Sequence, residues 1–503
     1  MRAHSIIALY ICFLLGCSDD GEGREISEDL GPPNILLIIT DQQNRHTLGC
    51  LGERAVLTPA LDKLADEGIL FRSGYCNDPI CSPSRYSLLS GVYPTEIGAL
   101  MNHVAPRRDI PLISDYLSDA GYITSILGKA DFVDMEDPHG FQNAYMHSAY
   151  LGSGTSHWYP WMLLSAEERG LEVKRKSLPT GPWTLGNLKR TCVTNPLPDD
   201  LTPEAWITLK SLDLMERAQL AGKPFFINAN YFAPHHPYGP VQEYLDLYDK
   251  NEIQLPPNFN PEGGLPRGTQ AGKFEKWSED EWRLVLQHYY AFVSQADHHI
   301  GDLLEGMQER GLAENTLVFF VSDHGDMAGE FRSMAKGQPL EGSIGIPFIV
   351  RWPAGLPSGV TLDAPVSLID IAPTIMEAAR EPIPENFRGT SLLGLVKGEQ
   401  AAEEREVFVI DVRKLPFHLS ALRIGQWKLS ALGGMNGKHR YRFIDLVADP
   451  FELVDRSRDE TVHEEFAGMK AKLLSNLERE LAFVPDTLPS PTSPPLVKFP
   501  YKD

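Results

Sequence analysis

A short motif at residues 81–85, Cys-Ser-Pro-Ser-Arg, places a thiol and a guanidinium group on either side of a proline. The proline restrains the backbone, and the small residues that follow, as far as Gly91, predict a helix with Arg85 on its first turn. The N-terminus of a helix offers free N–H groups and positive potential to an anion. The motif therefore predicts a site for an anionic substrate, although a structural turn with a buried thiol would produce the same short pattern.

Four apolar runs elsewhere in the chain each end at charged or imidazole side chains. Continuous runs of β-branched and aromatic residues predict strands that are buried on both faces of a parallel sheet. Ligands bind at the carboxyl ends of such strands, so these polar groups are expected to converge on one active site. The runs are residues 34–40, 122–127, 225–228 and 317–321, and they lead to Asp41-Gln42, Gly128-Lys129, Pro234-His235-His236 and Ser322-Asp323-His324.

The order of the remaining elements predicts an α/β fold. Residues 33–398 would form a catalytic domain, with a large mixed, mostly parallel sheet flanked by helices, and apolar spacing indicates one long helix at 281–304. Residues 399–484 would form a small C-terminal α+β subdomain, an antiparallel sheet covered by a helix. Its expected elements are strands at 407–410, 419–424, 427–432 and 441–446 and a helix at 461–481.

Three other segments carry weaker patterns. Residues 365–379 are predicted to be a helix. Residues 152–203 lack a clear periodic pattern and are rich in Gly, Pro and Ser with scattered Trp, which predicts a long loop. Because long loops in a compact domain are often functional, these residues are expected to line the substrate pocket. Residues 485–503 are rich in proline and predicted to form an extended tail.

The first residues are typical of a targeting segment. Arg2 and His4 precede an apolar run too short to span a bilayer, which predicts a signal peptide over residues 1–16. Leu14-Leu15-Gly16-Cys17 is similar to a bacterial lipobox, so Cys17 is expected to carry a lipid, with an ordinary cleaved secretory peptide as the alternative. Residues 17–32 would be a flexible tether. The protein is therefore expected to be exported and lipid-anchored, in the bacterial periplasm or on the cell surface.

Charge and cysteine content narrow the range of partners. The net charge is −22 and the isoelectric point about 5.1, which argues against nucleic acid because such a partner needs a basic face. A pocket can still be locally positive on an acidic protein. Of six cysteines, two lie in the targeting segment and one in the motif, so Cys50, Cys76 and Cys192 can form at most one disulfide.

Taken together, the motifs resemble those of the type I, formylglycine-dependent sulfatases of the alkaline phosphatase superfamily. In that family the Cys of Cys-x-Pro-x-Arg is oxidised to formylglycine, and Asp41-Gln42 and His139-Gly140-Phe141 look like the choline-sulfatase and arylsulfatase branch. The resemblance implies an alkaline-phosphatase-like fold and a sulfuric ester hydrolase. It extends over most of the chain, in family order, through residues 34–42, 81–85, 128–129, 234–237, 322–325, 336 and 445–453.

The resemblance also implies a divalent cation and a role for each matching side chain. Oxygen ligands favour Ca²⁺, while a histidine nitrogen leaves Mg²⁺ and Mn²⁺ open. The implied metal ligands are Asp41, Gln42, the formylglycine made from Cys81, Asp323 and His324. The implied catalytic residues are Cys81 as the precursor of the nucleophile, Arg85 to support it, Lys129 and Lys336 to hold the sulfate oxygens, and His235, with His236 as a less favoured substitute, to protonate the leaving alcohol.

One residue departs from the family pattern. The family usually carries Lys-x-His after the glycine, and that histidine is the natural base for releasing sulfate, whereas this chain has Lys129-Ala130-Asp131. An ordinary aspartate, with a pKa of about 3.9, is a weak base near neutral pH. Either Asp131 with a shifted pKa or another group such as His103 would take the role, and the sequence leaves both open.

Three functions compete at this point. The first is a sulfatase acting on an exported substrate, with a sulfated glycan favoured over a small sulfated molecule by export and by the large pocket loops. The second is a phosphonate monoester or phosphodiester hydrolase, which shares the fold, the Cys motif and the Asp-Gln pair. The third, favoured only by Asp131, is a lipoprotein that binds sulfated glycans without turnover. The expected partners are the sulfated substrate, a formylglycine-generating enzyme during maturation and the membrane through Cys17, with no nucleic acid.

Overall fold

The computed structural model describes most of the chain beyond the targeting segment. The predicted signal peptide, nearly all of the tether and most of the proline-rich tail lie outside the described residues. These residues are 31–52, 54–132, 139–147, 156–173, 178, 186–266, 269–402, 405–414, 416–434, 437–485 and 487–489.

The main sheet has β1 at its centre. Its strands in the described part are β1 (Asn34–Thr40), β2 (Ile69–Tyr75), β3 (Ile123–Gly128), β4 (Asn143–Met146), β5 (Phe225–Asn230), β6 (Thr316–Ser322), β7 (Gly345–Ile346), β8 (Phe348–Arg351) and β9 (Val360–Ser367). They lie in the order β4-β3-β5-β1-β6-β8-β2-β7, with β9 paired to β2. The strands from β4 to β6 and the β2–β9 pair are parallel. Strand β8 pairs antiparallel with β6 and β2, and β7 pairs antiparallel with β2. The prediction of a mixed, mostly parallel sheet is confirmed.

Helices cover this sheet. They are α1 (Pro59–Asp66), α2 (Cys81–Ser90), α3 (Pro94–Ile97), α4 (Ile113–Asp119), α5 (Trp158–Glu168), α6 (Leu188–Thr191), α7 (Pro203–Leu220), α8 (Gln242–Leu245), α9 (Glu279–Glu309), α10 (Glu341–Ile344), α11 (Ile371–Ala378), α12 (Leu393–Val396) and α13 (His463–Leu481). The predicted long helix is α9, which begins at a capping box between Ser278 and Glu281 and packs against α1 and α7. Within the described ranges, every helix is too short or too polar to cross a membrane.

Two predictions about the elements are wrong. Residues 360–367 form strand β9, because they pair in parallel with β2, and only Ile371–Ala378 of the predicted helix at 365–379 is α-helical. The predicted irregular stretch at 152–203 contains α5, whose residues Trp158, Met162 and Ala166 recur every fourth position and are buried. In both cases the packing partner is distant in sequence, so the local sequence pattern did not predict the secondary structure.

The C-terminal part of the chain forms a second sheet. Strands β10 (Glu406–Lys414), β11 (Phe417–Ile424), β12 (Trp427–Gly434) and β13 (His439–Asp445) pair antiparallel in chain order. Helix α13 covers one face, where Leu473 and Leu477 are buried in the same cluster as Leu422, Leu429 and Phe443. The predicted antiparallel subdomain with one covering helix is confirmed.

A buried ionic cluster joins the C-terminal sheet to α10. The Nζ atom of Lys428, on β12, lies 2.8 Å from a carboxylate oxygen of Glu341 and 2.8 Å from one of Glu452, and Arg45 binds Glu341 at 2.8 Å. Burial alone would raise the pKa of Glu341, but Lys428 and Arg45 outweigh it and lower this pKa to about 2. The cluster therefore holds the C-terminal sheet against α10, which lies a few residues after Lys336.

The Lys428→Met variant is expected to lower the free energy of unfolding by about 3–5 kcal/mol, because it leaves Glu341 and Glu452 buried without their shared cation. Urea denaturation at pH 7 measures this. Because the pKa of Glu341 is lowered in the folded protein, the ion pair stabilises it fully above the ordinary value of 4.5, and this contribution is lost as the pH falls through about 2. The difference between variant and wild type should therefore shrink in acid.

The matched control is Lys472→Met, which breaks the exposed pair with Glu406 and should cost under about 1 kcal/mol. Equal costs for the two variants would contradict the role given to the buried cluster.

Candidate active site

Side chains from four adjacent strands meet at one edge of the main sheet. Asp41 follows β1, Lys129 follows β3, His235 lies beyond β5, and Asp323 directly follows β6. All four residues are buried. Because these strands are parallel neighbours, their carboxyl ends lie side by side. Residues far apart in the sequence therefore contact one another, and the Lys129 ammonium group pairs with the Asp41 carboxylate.

Cys81 is the first residue of α2, and its side chain is directed into this group. Arg85 lies four residues later, on the same face of the helix and on its second turn, because the helix begins at Cys81 itself. The sequence expectation of a first-turn arginine is therefore wrong by one turn. The four described cysteines, Cys50, Cys76, Cys81 and Cys192, are all free.

Two ammonium groups converge on the sulfur of Cys81. The Sγ atom lies 2.8 Å from Lys336 Nζ, 3.7 Å from Lys129 Nζ and 3.3 Å from His324 Nε2. Burial and the charge of Asp41 raise the pKa of the Cys81 thiol to about 12, although both lysines oppose this shift. The unmodified thiol is therefore protonated at neutral pH and a poor nucleophile. The arrangement suits an anion held in front of residue 81.

Arg85 forms hydrogen bonds to several residues of the site. Its Nε and Nη2 atoms each donate at 3.0 Å, to Asp323 and Asp41 respectively. Its Nη1 donates at 2.7 Å to the backbone oxygen of Lys129 and at 2.7 Å to the side-chain oxygen of Asn230. Every donor nitrogen of the guanidinium group is thus engaged, so Arg85 fixes both carboxylates and the start of the Lys129 loop in place.

The two aspartates differ in their electrostatic surroundings. Burial would raise the pKa of Asp41, but Lys129, His235, Lys336 and Arg85 outweigh it and hold this pKa well below its usual value. For Asp323, burial and the charge of Asp41 prevail and raise the pKa. Two carboxylates that share a site resist joint ionisation. A cation bound between them would remove that penalty.

The donor set fits a divalent cation. Ligand atoms of Asp41, Cys81, Asp323 and His324 all lie within 4.8 Å of one another. Asp41 Oδ1 and Gln42 Oε1 are buried, and among the described residues neither has a hydrogen-bond partner. Buried acceptor oxygens without hydrogen-bond partners are consistent with a site for a bound cation. Three side-chain oxygen donors with one imidazole suit a hard cation such as Ca²⁺ or Mg²⁺.

A network beyond the donor set orients Gln42. Its Nε2 donates at 2.5 Å to Asp326, lies 2.7 Å from His236 Nδ1, and Tyr238 donates to the same Asp326 oxygen at 2.6 Å. With the amide nitrogen held in this way, the amide oxygen is left as the acceptor without a partner. Gln42 also adopts a positive φ of 68°, a conformation that is strained for a side chain of this size.

His235 and His236 take different places. The Nδ1–H of His235 donates to the backbone oxygen of His236, which leaves Nε2 as the other ring nitrogen, 3.9 Å from Asp41 Oδ1. Burial, Lys129 and Lys336 lower the pKa of His235 well below its usual value. His236 stacks behind it, with ring centroids 4.4 Å apart, and contacts Gln42. His235 is therefore the histidine that lies against Asp41.

Both groups considered as the base lie beside the start of α2. Asp131 Oδ2 is 3.4 Å from Lys129 Nζ, and the Asp131 backbone oxygen accepts a hydrogen bond from the side chain of Ser82 at 3.0 Å. His103 follows Asn102, whose side chain accepts from the backbone N–H of Ser82 at 3.0 Å. Their positions do not separate the two alternatives, so each role stays a prediction.

Sequence reasoning missed three residues that complete the site, Asn230, Asp326 and Tyr238. Asn230 ends β5, and its position at a strand end was a usable signal. Tyr238 and Asp326 directly follow the motifs at 234–237 and 322–325, but nothing in the sequence indicates that both Tyr238 and Gln42 donate to Asp326. A buried histidine after β4, His147, was also missed: its Nδ1 lies 2.9 Å from Ser156, and burial and Lys129 lower its pKa to about 3.

Comparisons with known proteins agree with this geometry. The sulfatase family model matches residues 33–381, and the model for the C-terminal region of N-sulphoglucosamine sulphohydrolases matches residues 329–479. An ulvan-active sulfatase from Formosa agariphila is 29% identical over 498 residues, covering 94% of this chain and 87% of that protein.

Solved structures share the fold at lower identity. A phosphonate monoester hydrolase of Agrobacterium radiobacter superposes with a TM-score of 0.74 at 22% identity, covering 89% of this chain and 96% of the other. A protein solved with D-glucosamine-2-N,6-O-disulfate superposes with a TM-score of 0.72 at 20% identity, covering 90% of this chain and 99% of the other. At these identities the likeness concerns the fold alone.

Proposed function

The chain belongs to the sulfatase family and is a sulfuric ester hydrolase, and we propose that it removes sulfate from a sulfated glycan through a formylglycine made from Cys81. The observation that carries this proposal is the convergence of Lys129 and Lys336 on the side chain of residue 81. A buried ammonium group, that of Lys129, and a partly buried one, that of Lys336, would neutralise and orient the oxygens of a sulfate group at that position. A maturing enzyme that oxidises Cys81 is implied as a partner.

Residue 81 supplies the nucleophile in this proposal. Hydrated formylglycine would provide an oxygen that attacks sulfur, which the protonated thiol cannot do. Arg85 and the start of α2 hold that side chain in position, and Lys129 and Lys336 bind the substrate oxygens around it. Lys129 remains charged, because Asp131 and Asp41 outweigh burial and raise its pKa.

A divalent cation would be held by Asp41, Gln42, Asp323 and His324 together with residue 81. The cation would favour the ionised form of the nucleophile and counter the charge that develops on the sulfate oxygens. We propose Ca²⁺, with Mg²⁺ and Mn²⁺ as the alternatives, because most of the donors are oxygens. Asp326 and Tyr238 keep the Gln42 oxygen available to it.

His235 is proposed to protonate the departing alcohol. With Nδ1–H bound to a backbone oxygen, its Nε2 is the atom that can carry a proton to the substrate. Burial and the neighbouring lysines lower the pKa of His235, whereas a bound sulfate ester is an anion and would raise this pKa. The proton would therefore be held on His235 chiefly when substrate is present.

The glycan assignment has two supports. One similar protein is named an ulvan-active sulfatase, and a protein of the same fold was solved with D-glucosamine-2-N,6-O-disulfate as its substrate. Residues 1–17 have the pattern of an exported lipoprotein, so we propose that the enzyme is anchored through Cys17 outside the cytoplasm, where polysaccharides are met.

The proposed function is tested by turnover of two probes, 4-nitrophenyl sulfate and 4-nitrophenyl phenylphosphonate, using protein co-expressed with a formylglycine-generating enzyme. Hydrolysis of the sulfate with kcat/KM at least tenfold higher is the expected result. Preference for the phosphonate would establish the phosphonate monoester hydrolase alternative. Binding of sulfated oligosaccharides without turnover of either probe would establish the binding lipoprotein.

Replacing His235 by glutamine should slow hydrolysis of an alkyl sulfate such as hexyl sulfate by about 10²–10⁴-fold, the usual contribution of a general acid. The loss for 4-nitrophenyl sulfate should be much smaller, because 4-nitrophenolate leaves without a proton. Steady-state kcat/KM for both substrates checks this. His288→Gln, a buried histidine on α9, is the control and should leave both values unchanged. Equal losses on both substrates would instead assign His235 to positioning.

A further inference from the structure

A cavity of about 830 Å³ lies between the C-terminal sheet and the catalytic domain, apart from the carboxyl ends of the main strands. Segments 263–266 and 338–340 form one wall, and β12 and β13 form the other. Gln338 stands two residues after Lys336, so their Cα atoms are at most about 7 Å apart. The cavity therefore adjoins the candidate active site through this short segment.

The charged side chains of its lining are mostly arginines, in contrast to the net charge of −22 of the whole chain. Arg440, Arg442 and Arg458 line the cavity, and the single carboxylate among the described lining residues is Asp455. Asp455 accepts hydrogen bonds from the backbone N–H groups of Phe443 and Ser457. None of the three guanidinium groups forms an ion pair with another described residue. The cavity is locally positive on an acidic protein.

Two buried polar groups in this lining also lack partners. Gln338 is 1% exposed, and within the described ranges neither its amide nitrogen nor its amide oxygen has a hydrogen-bond partner. Arg442 donates from Nη2 to the backbone oxygen of Glu452 at 2.7 Å, while its buried Nη1 has no partner in the same ranges. Leaving such groups unpaired costs free energy, and a native structure tolerates it where a ligand supplies the partner.

We propose that this arginine pocket, formed by Gln338, Arg440, Arg442 and Arg458, binds a second anionic group of the substrate. This inference rests on the proposed function, which places the reacting sulfate ester at residue 81. The second group is a sulfate or a carboxylate on a neighbouring part of the same glycan. A planar guanidinium fork matches either anion, and the Gln338 amide adds a neutral donor. The substrate class is therefore a polyanionic glycan rather than a chain with isolated sulfate groups.

The exposed arginines allow a test that leaves the buried core alone. Arg440 and Arg458 are exposed, so the double variant Arg440→Gln/Arg458→Gln should fold normally. The control is Arg72→Gln/Arg217→Gln, which removes the same charge from two arginines that are 57% and 59% exposed and lie outside the cavity. A third variant, Gln338→Met, removes the unpaired amide without changing the charge.

Binding is measured by fluorescence anisotropy with fluorescein-labelled dextran sulfate, and polygalacturonate competes as the carboxylate probe. The pocket double variant should raise Kd for dextran sulfate about tenfold or more, Gln338→Met about threefold, and the control double variant less than twofold. Competition by polygalacturonate would assign the pocket to carboxylates as well, and its absence to sulfate. Equal Kd values for the pocket and control double variants would overturn the proposal.

A kinetic arm separates this inference from the proposed function. Dextran sulfate should inhibit turnover of 4-nitrophenyl sulfate, with an inhibition constant that rises about tenfold in the pocket double variant. If the wild-type protein lacks turnover but the Kd values of the variants differ as expected, the sulfatase proposal is wrong and the proposal of the arginine pocket is supported. If turnover is normal and the inhibition constants of the two double variants agree, the pocket is wrong and the sulfatase proposal stands.

Discussion

Loss of turnover by at least about 10⁴-fold is expected when Cys81 is replaced by alanine, because the variant has no side chain from which the nucleophile can be made. Folding should be nearly unaffected. The Cys81 side chain contacts mainly Lys129, Lys336 and His324, so its removal takes few packing contacts away from the hydrophobic core. The measurements are steady-state hydrolysis of 4-nitrophenyl sulfate and the thermal unfolding temperature. Intact-mass analysis of the active wild-type protein should show residue 81 as formylglycine.

The matched control for this prediction is Cys76→Ala. Cys76 is a free cysteine as buried as Cys81, but it lies before the helix, with its backbone N–H bound to Ile344. Its replacement should lower stability modestly through a small cavity and leave turnover within about twofold. Full activity in Cys81→Ala, or unmodified cysteine at position 81 in fully active enzyme, would contradict the assignment of the nucleophile.

Removal of the cation is the second large effect. Chelation should reduce turnover by about 10³-fold or more, because the cation supplies several kcal/mol of charge stabilisation in the transition state. Ca²⁺ should restore it. Ca²⁺ should also raise the unfolding temperature of the chelated protein, since ligand at 100 times Kd stabilises the folded state by about 2.7 kcal/mol. Asp323→Asn should lose this thermal response, which is measurable without any substrate.

Asp297→Asn is the matched control. Asp297 is another buried aspartate, but it accepts the backbone N–H groups of Ala60 and Leu61 at the start of α1. Its replacement should lower the unfolding temperature while keeping the increase on addition of Ca²⁺. An unchanged Ca²⁺ response in Asp323→Asn would rule out the proposed site. Metal analysis that finds two zinc ions per chain would point instead to a phosphatase-like centre.

Much of the fold could be predicted from local pattern. The strands β1, β3, β5 and β6 are mainly apolar runs, and a strand buried on both faces leaves such a run in the sequence. Helix α9 and the C-terminal strands were also visible as periodicity. The predictions for the segments that form β9 and α5 were wrong because contacts distant in sequence set their conformation. Strand β9 forms by pairing with β2, and α5 is stabilised by burial of three residues on one of its faces.

The family and the order of the chemical groups could be predicted from the sequence alone, because Cys81, Lys129, His235 and Asp323 stand in short motifs and Lys336 follows them in family order. A parallel sheet then explains why such motifs meet, since each one follows a strand. Asn230 could have been added by the same reasoning, as the last residue of β5.

The orientation of these groups and the residues that surround them became known only from the three-dimensional structure. The amide oxygen of Gln42 is available to a cation because Asp326, 284 positions later, holds the amide nitrogen. Lys428 stabilises the segment near Lys336 through Glu341, which lies 87 positions earlier in the chain, and the arginine pocket combines residues of the C-terminal sheet with loop residues at 263–266 and 338–340. Such contacts depend on the exact packing of elements that are remote in the chain, and they leave no periodic or local trace in the sequence.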